Sequence, residues 1–336
     1  MSQELGTDIF QTWRDEFELC KVKPGETVLV FTDAQYPHAG YAGAAMAAAR
    51  SLGADSFIMQ APSGPMSLLA NRFIVEGWKA ADMVIPVTTI PWLYTDAHNE
   101  ALASGTRTLM VNQDIASLRR LFPDEAVTKR TFAGARRMAA AKEIRITDDA
   151  GSDFTFRKDG RKGHAQVGVA DRPGRWDHWP SGLVATGPLE DSAEGVYVVS
   201  PGDILLGLRR YVTTPIRLTL HEGLITNIEG GSDARLLRDR LESFNDPNAY
   251  RWSHAGWGTE HRADWNQIGM DSESKYGTVM VSIGRNIFNG TDENSGLGGN
   301  NYTQVHIDIC CRDKNFYLDG EQIVSKDGKI VVPELA

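Results

Sequence analysis

The stretch TVLVFTDAQYPHAGYAGAAMAAARSLGADSFIMQA, residues 27–61, decides how the first half of the chain folds. Its ends, TVLVFTD and DSFIMQA, are short apolar runs, too brief for helices and bounded by polar or glycine-containing segments. Between them, GYAGAAMAAARSLGA is dominated by alanine, the residue that loses least on entering a helix. Strand, helix and strand in this order make a βαβ unit, whose two strands must lie parallel. The alternation continues through LLANRFIVEGWKAA, DMVIPVT, HNEALASG and RTLMVNQD. Residues 1–145 are therefore expected to form a Rossmann-like parallel sheet with helices on both faces. Such sheets bind ligands at the carboxyl ends of their strands. FTDAQYPHAGYAG offers Gly40 and Gly43 but no G-x-G-x-x-G, which argues against a dinucleotide as that ligand.

The pattern changes after the helical segment DEAVTKRTFAGARRMAAAKE. From about residue 146, short strands with turn punctuation follow one another: TFRKDGRKGHAQVGV, GVYVVSPGDILL, PIRLTLHEGLITNIEGG, YGTVMVSIG and NFYLDGEQIVSKDGKIVV. SDARLLRDRLESF is the one clear amphipathic helix among them, with Leu236, Leu237, Leu241 and Phe244 at helical spacing. The expected fold class is thus α/β plus mostly-β. An α/β domain, 1–145, contributes pocket residues, and a β-rich domain, 146–336, carries the metal site.

The bulk composition narrows the partners. A chain of 336 residues, 41% hydrophobic and 24% charged, is an ordinary globular protein with room for two domains. A net charge of −9 argues against nucleic acid or an anionic membrane, both of which attract basic patches, and favours a small molecule. MSQELGTDIFQTWRDEFELC lacks a basic start followed by an apolar run, and no stretch approaches the length of a membrane span, so a cytoplasmic protein is expected. Cys20, Cys310 and Cys311 form no C-x-x-C and indicate neither a disulfide framework nor a zinc knuckle. The expected assembly is a homo-oligomer.

In NNYTQVHIDICCRD, residues 300–313, Val305, Ile307 and Ile309 alternate with His306, Asp308 and Cys310, the period of a half-buried strand. His306 and Asp308 then share one face, which suits a metal. Asp96-Ala97-His98 has the mirrored spacing, so the pair needs a third partner. In RWSHAGWGTEHRADW, His254 precedes Gly256-Trp257-Gly258, where bare backbone permits close approach of a metal or substrate, whereas His261 sits in a charged stretch that reads as solvated. Two histidines and one carboxylate with open positions make the facial triad of non-haem Fe(II) oxygenases; the competing reading is histidines hydrogen-bonded within a sheet. His98, near the end of the strand MVIPVTT, is either a general acid or base or a helix-start residue behind an Asp96 cap. His178, among Trp176, Trp179 and Pro180, is either a wall for a flat aromatic ligand or a packed aromatic corner. The glycine-rich loop FNGTDENSGLGGNN, 288–301, has the length of functional or mobile loops, while His221 and Asp203 read as turn residues.

Taken as a series, RWDHWPSGLVATGPLEDSAEGVYVV, SHAGWGTEHRADW, the glycine-rich loop and HIDICCRD resemble the thermophilic metallo-aminopeptidase superfamily. Within it they most closely resemble the 2,5-dihydroxypyridine 5,6-dioxygenases of bacterial nicotinate degradation, from about residue 10 to the C-terminus. The peptidases are expected to bind two metals through two glutamates, two histidines, a tyrosine and an aspartate. Here Gly182 and Leu183 replace a carboxylate pair, His254 a glutamate and Met280 a histidine, leaving only the H-x-D intact. The resemblance implies one Fe(II) per chain on His254, His306 and Asp308. It also implies a catalytic histidine at His98, a substrate-side histidine at His178, and O2-dependent opening of a small aromatic N-heterocycle, 2,5-dihydroxypyridine, to N-formylmaleamate. The rival functions are a metallo-aminopeptidase or amidohydrolase, and a small-molecule binding protein with a structural metal.

Overall fold

The computed structural model describes residues 2–38, 40–288 and 290–336, with the backbone alone over residues 2–7. The quoted βαβ unit forms as read: strands Thr27–Asp33 and Asp55–Ala61 pair in parallel, and Tyr41–Ser51 is the helix between them. Strands Met83–Val87 and Arg107–Val111 extend the parallel sheet. Its fifth strand is Trp176–Trp179, which the sequence offered as a ligand wall and which pairs in parallel with Arg107–Val111. In the sheet order the quoted strands swap places, Asp55–Ala61 lying at the edge and Thr27–Asp33 between it and Met83–Val87. A first helix, Ser2–Leu19, went unread in the sequence; it buries Trp13 and Phe17, four residues apart, in the same core as Val28, Val30, Ile85 and Trp179. No helix of the described residues is long and apolar enough to cross a membrane.

The remaining strands form two further sheets. One has eight strands, among them Glu143–Thr147, Asp153–Arg157, Glu194–Val199 and the hairpin Ile216–His221 with Leu224–Gly230. The other has seven, with Asn301–Cys311, Val279–Asn286, Trp252–Gly258 and Leu183–Thr186 consecutive and antiparallel. The amphipathic helix stands at Ser232–Glu242 and buries Leu237 and Leu241.

Contacts divide the chain into two compact units: residues 1–124, 166–181 and 290–295, and residues 125–165, 182–289 and 296–336. The division expected at 145/146 falls inside the 125–165 segment, because helix Glu125–Ala140 and strand Glu143–Thr147 pack in the core of the second unit. Of the loop 288–301, Asn289 lies outside the described residues.

Candidate metal centre

The core face of the seven-stranded sheet is built by alternation. Val279, Val281 and Ile283 on one strand and Val305, Ile307 and Ile309 on the next all enter one apolar core. The intervening residues, Met280, Ser282 and Gly284 on the first and His306, Asp308 and Cys310 on the second, therefore point to the other face. His254 reaches that face through an irregularity. Trp252 pairs with Ile283 but His254 with Ser282, so Ser253 is an extra residue. It resets the phase: Trp252 enters the core together with Ala255 and Trp257, and His254 does not. Two hydrogen bonds hold the bulge, Asn286 Nδ2 donating to the Ser253 carbonyl at 2.6 Å and Ser253 Oγ to the Arg285 carbonyl at 3.0 Å.

Register then brings the ligand candidates together. Ser282 stands opposite both His254 and Asp308, and Gly284 opposite His306. Two interstrand steps separate His254 from Asp308, about 9.6 Å of backbone. Their side chains close that distance above Ser282, where a large residue would stand in the way. His254 Nε2 lies 3.2 Å from His306 Nε2, and Asp308 Oδ1 lies 3.3 Å and 3.2 Å from the two nitrogens. Among the described residues this is the one cluster of three His, Cys, Asp or Glu side chains with converging donor atoms.

The triangle is nearly equilateral. A point about 2.1 Å from all three atoms exists about 1 Å off their plane, and from it the donors subtend about 100°, between octahedral and tetrahedral values. Asp308 Oδ1 is buried yet accepts no hydrogen bond, although both imidazoles are within reach. The donor atoms of all three side chains lie within reach of one common point. His306 Nδ1 is 2.8 Å from the Arg285 carbonyl, an acceptor only, so the proton sits on Nδ1 and the Nε2 lone pair faces the triangle. The residues thus fit a divalent metal with two nitrogen donors and one carboxylate oxygen.

Electrostatics agree with that fit. Burial would raise the Asp308 carboxyl, but His306 and His254 outweigh it and hold the group well below the usual carboxylate range. Burial lowers His254, with Asp308 opposing in part. Burial also disfavours charge on His306, and there the Asp308 carboxylate prevails, so its pKa is raised. Glu273, on the short helix Met270–Ser274, is a carboxyl that sequence reading passed over. Burial first, and the Asp308 charge second, push it well above the usual range. Burial likewise pushes the Cys310 thiol up.

Gly256 serves a different end from the one expected of it. A Cβ there would fall 1.9 Å from the Val184 carbonyl oxygen, so the bare backbone admits the neighbouring strand and not a ligand. His261 is exposed beside Glu260, as its charged surroundings suggested.

His98 and His178 belong to the first unit. His98 lies in the first turn of helix Asp96–Ala103, and the cap is Thr95, whose Oγ1 accepts from the His98 amide, rather than Asp96. Its ring is fully buried, with Nε2 3.0 Å from Thr108 Oγ1 and the edges of Trp92 and Trp176 against it. Burial lowers its pKa to about 3. His178 sits at the carboxyl end of its parallel strand, with Nδ1 2.9 Å from the Pro180 carbonyl. Burial lowers its pKa to about 4. His221 pairs with Glu194 at the surface, and Asp203 accepts from the Ser200 and Arg312 amides as a turn residue does.

Comparison with known proteins converges on one family. The model of the NicX family, described as 2,5-dihydroxypyridine 5,6-dioxygenase, matches residues 8–332. The chain is 33% identical over 348 aligned residues to the 2,5-dihydroxypyridine 5,6-dioxygenase of Pseudomonas putida KT2440, covering 96% of each. The solved structure of 2,5-dihydroxypyridine dioxygenase from the same strain superposes with a TM-score of 0.89 at 31% identity, covering 98% of this chain and 99% of that one. AmpT from Thermus thermophilus, at 14% identity and a TM-score of 0.57 over 97% of this chain and 99% of its own, shares the fold. The chain belongs to the NicX family of 2,5-dihydroxypyridine 5,6-dioxygenases.

Proposed function

We propose that this chain is an Fe(II)-dependent, extradiol-like dioxygenase that opens 2,5-dihydroxypyridine between C5 and C6 to N-formylmaleamate. One iron per chain is held by His254, His306 and Asp308, and the enzyme works in the cytoplasm as a homo-oligomer. The observation that carries the assignment is the triangle of donor atoms with 3.2–3.3 Å edges and an Asp308 oxygen that accepts no hydrogen bond. Three protein donors suit one ion with open positions, the arrangement of ring-cleaving and other non-haem oxygenases. A bound ferrous ion supplies the route by which electrons of an electron-rich ring reach dioxygen.

The protein contributes geometry and proton handling. The Arg285 carbonyl fixes the His306 tautomer, Ser282 leaves room above the sheet, and Asp308 supplies one negative charge against the cation. His98 is assigned as acceptor of the 5-hydroxyl proton and His178 as the substrate-side histidine. Their lowered pKa values, about 3 and about 4, keep both rings neutral near pH 7, each with one nitrogen lone pair. Neutral rings of such low basicity accept a proton readily only from an acidified hydroxyl.

The test is anaerobic reconstitution with Fe(II), metal analysis, and oxygen uptake on 2,5-dihydroxypyridine, catechol, gentisate and a leucyl peptide. One iron per chain and oxygen uptake with the pyridine are expected. Two zinc or cobalt ions with peptide cleavage would replace this reading by the hydrolase, and binding without turnover would replace it by the binding protein.

A further inference from the structure

Asp177, the residue before His178, is a fully buried carboxylate on which several donors converge. Its Oδ1 accepts from the amides of His178, Gly168 and Val167 at 2.8, 2.9 and 3.0 Å, and its Oδ2 from Arg175 Nη2 at 2.5 Å. Arg175 is fully buried as well; its Nε donates to the Val169 carbonyl at 2.9 Å and its Nη1 to Asp292 Oδ1 at 3.3 Å. Asp292 in turn accepts from Arg172, whose Nε meets Oδ2 and whose Nη2 meets Oδ1. Two guanidiniums and two carboxylates thus alternate in one chain, Arg172–Asp292–Arg175–Asp177, and their charges balance. All four belong to the first unit, although Asp292 comes from the glycine-rich loop. Two further contacts seat that part of the loop. Ser295 Oγ accepts from the Trp176 amide at 3.3 Å, and a Cβ at Gly174, where φ is +70°, would fall 1.7 Å from Thr291 Oγ1.

His178 stands at the inner end of this chain. Its Nδ1 lies 2.9 Å from the Pro180 carbonyl, an acceptor only, so the proton sits on Nδ1 and the lone pair on Nε2, which is buried and makes no hydrogen bond among the described residues. Pro180 thus fixes the ring and Asp177 the backbone amide of the same residue. Buried ion pairs contribute little net stability over apolar packing, and their best-attested use is to fix one arrangement among several. A binding group displaced by a fraction of an ångström loses much of its effect on a substrate. We propose that Asp292, acting through Arg175 and Asp177, is a positioning residue for His178: the ion chain holds the histidine where its Nε2 accepts from a donor of the bound dihydroxypyridine. The inference rests on the dioxygenase reading above, in which His178 stands on the substrate side. It gives Asp292 no contact with substrate and no part in holding the metal.

The test is calorimetric titration with 2,5-dihydroxypyridine under argon, followed by steady-state oxygen uptake, on the Fe(II)-loaded wild type, D292N, R172M, H178F and D292N/H178F, with the iron content of each. D292N keeps the turn in which Asp292 Oδ1 accepts from the Asn294 amide, and removes the charge that faces the two arginines. It should raise Kd and KM by roughly 5- to 20-fold, with kcat and iron content within about twofold of wild type. R172M loses a side chain that is 39% exposed, a change the fold tolerates, and should weaken binding in the same direction by a smaller factor. H178F keeps the bulk of the ring without its lone pair and should weaken binding by roughly 10- to 100-fold. Adding D292N to H178F should then change Kd by less than about twofold, because nothing is left to position. Factors that multiply in the double variant overturn the inference, as do wild-type affinities in both D292N and R172M, or loss of iron from either; R172M takes the place of D292N in the cycle should that variant not fold. Wild-type affinity in H178F removes His178 from the substrate side and this inference with it, and leaves the dioxygenase intact. Wild type that neither binds nor oxidises the pyridine sinks the dioxygenase reading itself.

Discussion

Two neutral, buried histidines in one unit predict a steep acid instability whose size follows from their surroundings. His98 is fully buried and its pKa is lowered from 6.5 to about 3; His178 is 3% exposed and lowered from 6.5 to about 4. Burial is the first cause in both. A histidine lowered on folding contributes stability that is complete above its unfolded value and is lost as the pH falls toward its folded value. Between pH 6.5 and about 4 both rings take up a proton only on unfolding. Stability should then fall by about 2.7 kcal/mol per pH unit on their account, or roughly 7 kcal/mol across the interval. That is comparable with the whole stability of an ordinary domain. Urea unfolding followed by tryptophan fluorescence at pH 8, 6, 5 and 4, on metal-free protein in chelator, measures the slope. H98Q/H178Q starts from a lower stability at pH 8 but should lose most of the histidine contribution to the slope. A double variant whose stability falls with pH as steeply as wild type would refute the reasoning.

Four further outcomes are expected. H254A, H306A and D308A should each abolish iron retention while keeping the circular dichroism of the fold, because the sheets and not the metal hold a chain of this size together. S282L, placed in the cross-strand row between His254 and Asp308, should also lose iron although it removes no ligand, and full iron content would contradict the row geometry. H98A should keep iron and substrate affinity but lose roughly 10²- to 10⁴-fold in turnover, less at high pH where the substrate hydroxyl ionises unaided; normal turnover at neutral pH would remove it as the base. Glu16, buried beside Cys20 with its second oxygen unpartnered, has a raised pKa caused first by burial. Its stability contribution is present at low pH and lost as the pH climbs toward that raised value, so E16Q should gain stability at pH 8 and little at pH 4, as a pair of urea curves would register.

The parts of the fold governed by local pattern were legible in the sequence. The alanine-rich helix between two apolar runs, and the alternation of Val305, Ile307 and Ile309 with His306 and Asp308, each announce their geometry within a few residues. The strand Trp176–Trp179 was not legible as a strand, since WDHW neither alternates nor is β-branched, and it is buried throughout, beside a partner strand distant in sequence. His254 was singled out by the Gly256-Trp257-Gly258 that follows it and not by alternation, because the bulge at Ser253 breaks the pattern that would have shown which way it points. Ser282 carries no local signal and matters through register with two other strands.

The fifth strand of the parallel sheet also bears on synthesis. Strands Thr27–Asp33 to Arg107–Val111 leave the ribosome as an open sheet, and the strand that covers its exposed edge does not exist until residue 179 has been added. The intervening helix Glu125–Ala140 and strands Glu143–Thr147 and Asp153–Arg157 belong to the other unit; the two strands pair with each other, but their outer neighbours, Asn315–Leu318 and Glu194–Val199, come only later in the chain. Neither unit can be finished before the other has begun. At about 5–20 residues per second, the Arg107–Val111 edge waits several seconds for its partner. A nascent chain stalled between residues 111 and 176 therefore presents an unpaired apolar edge, the form in which this protein would be most in need of a chaperone.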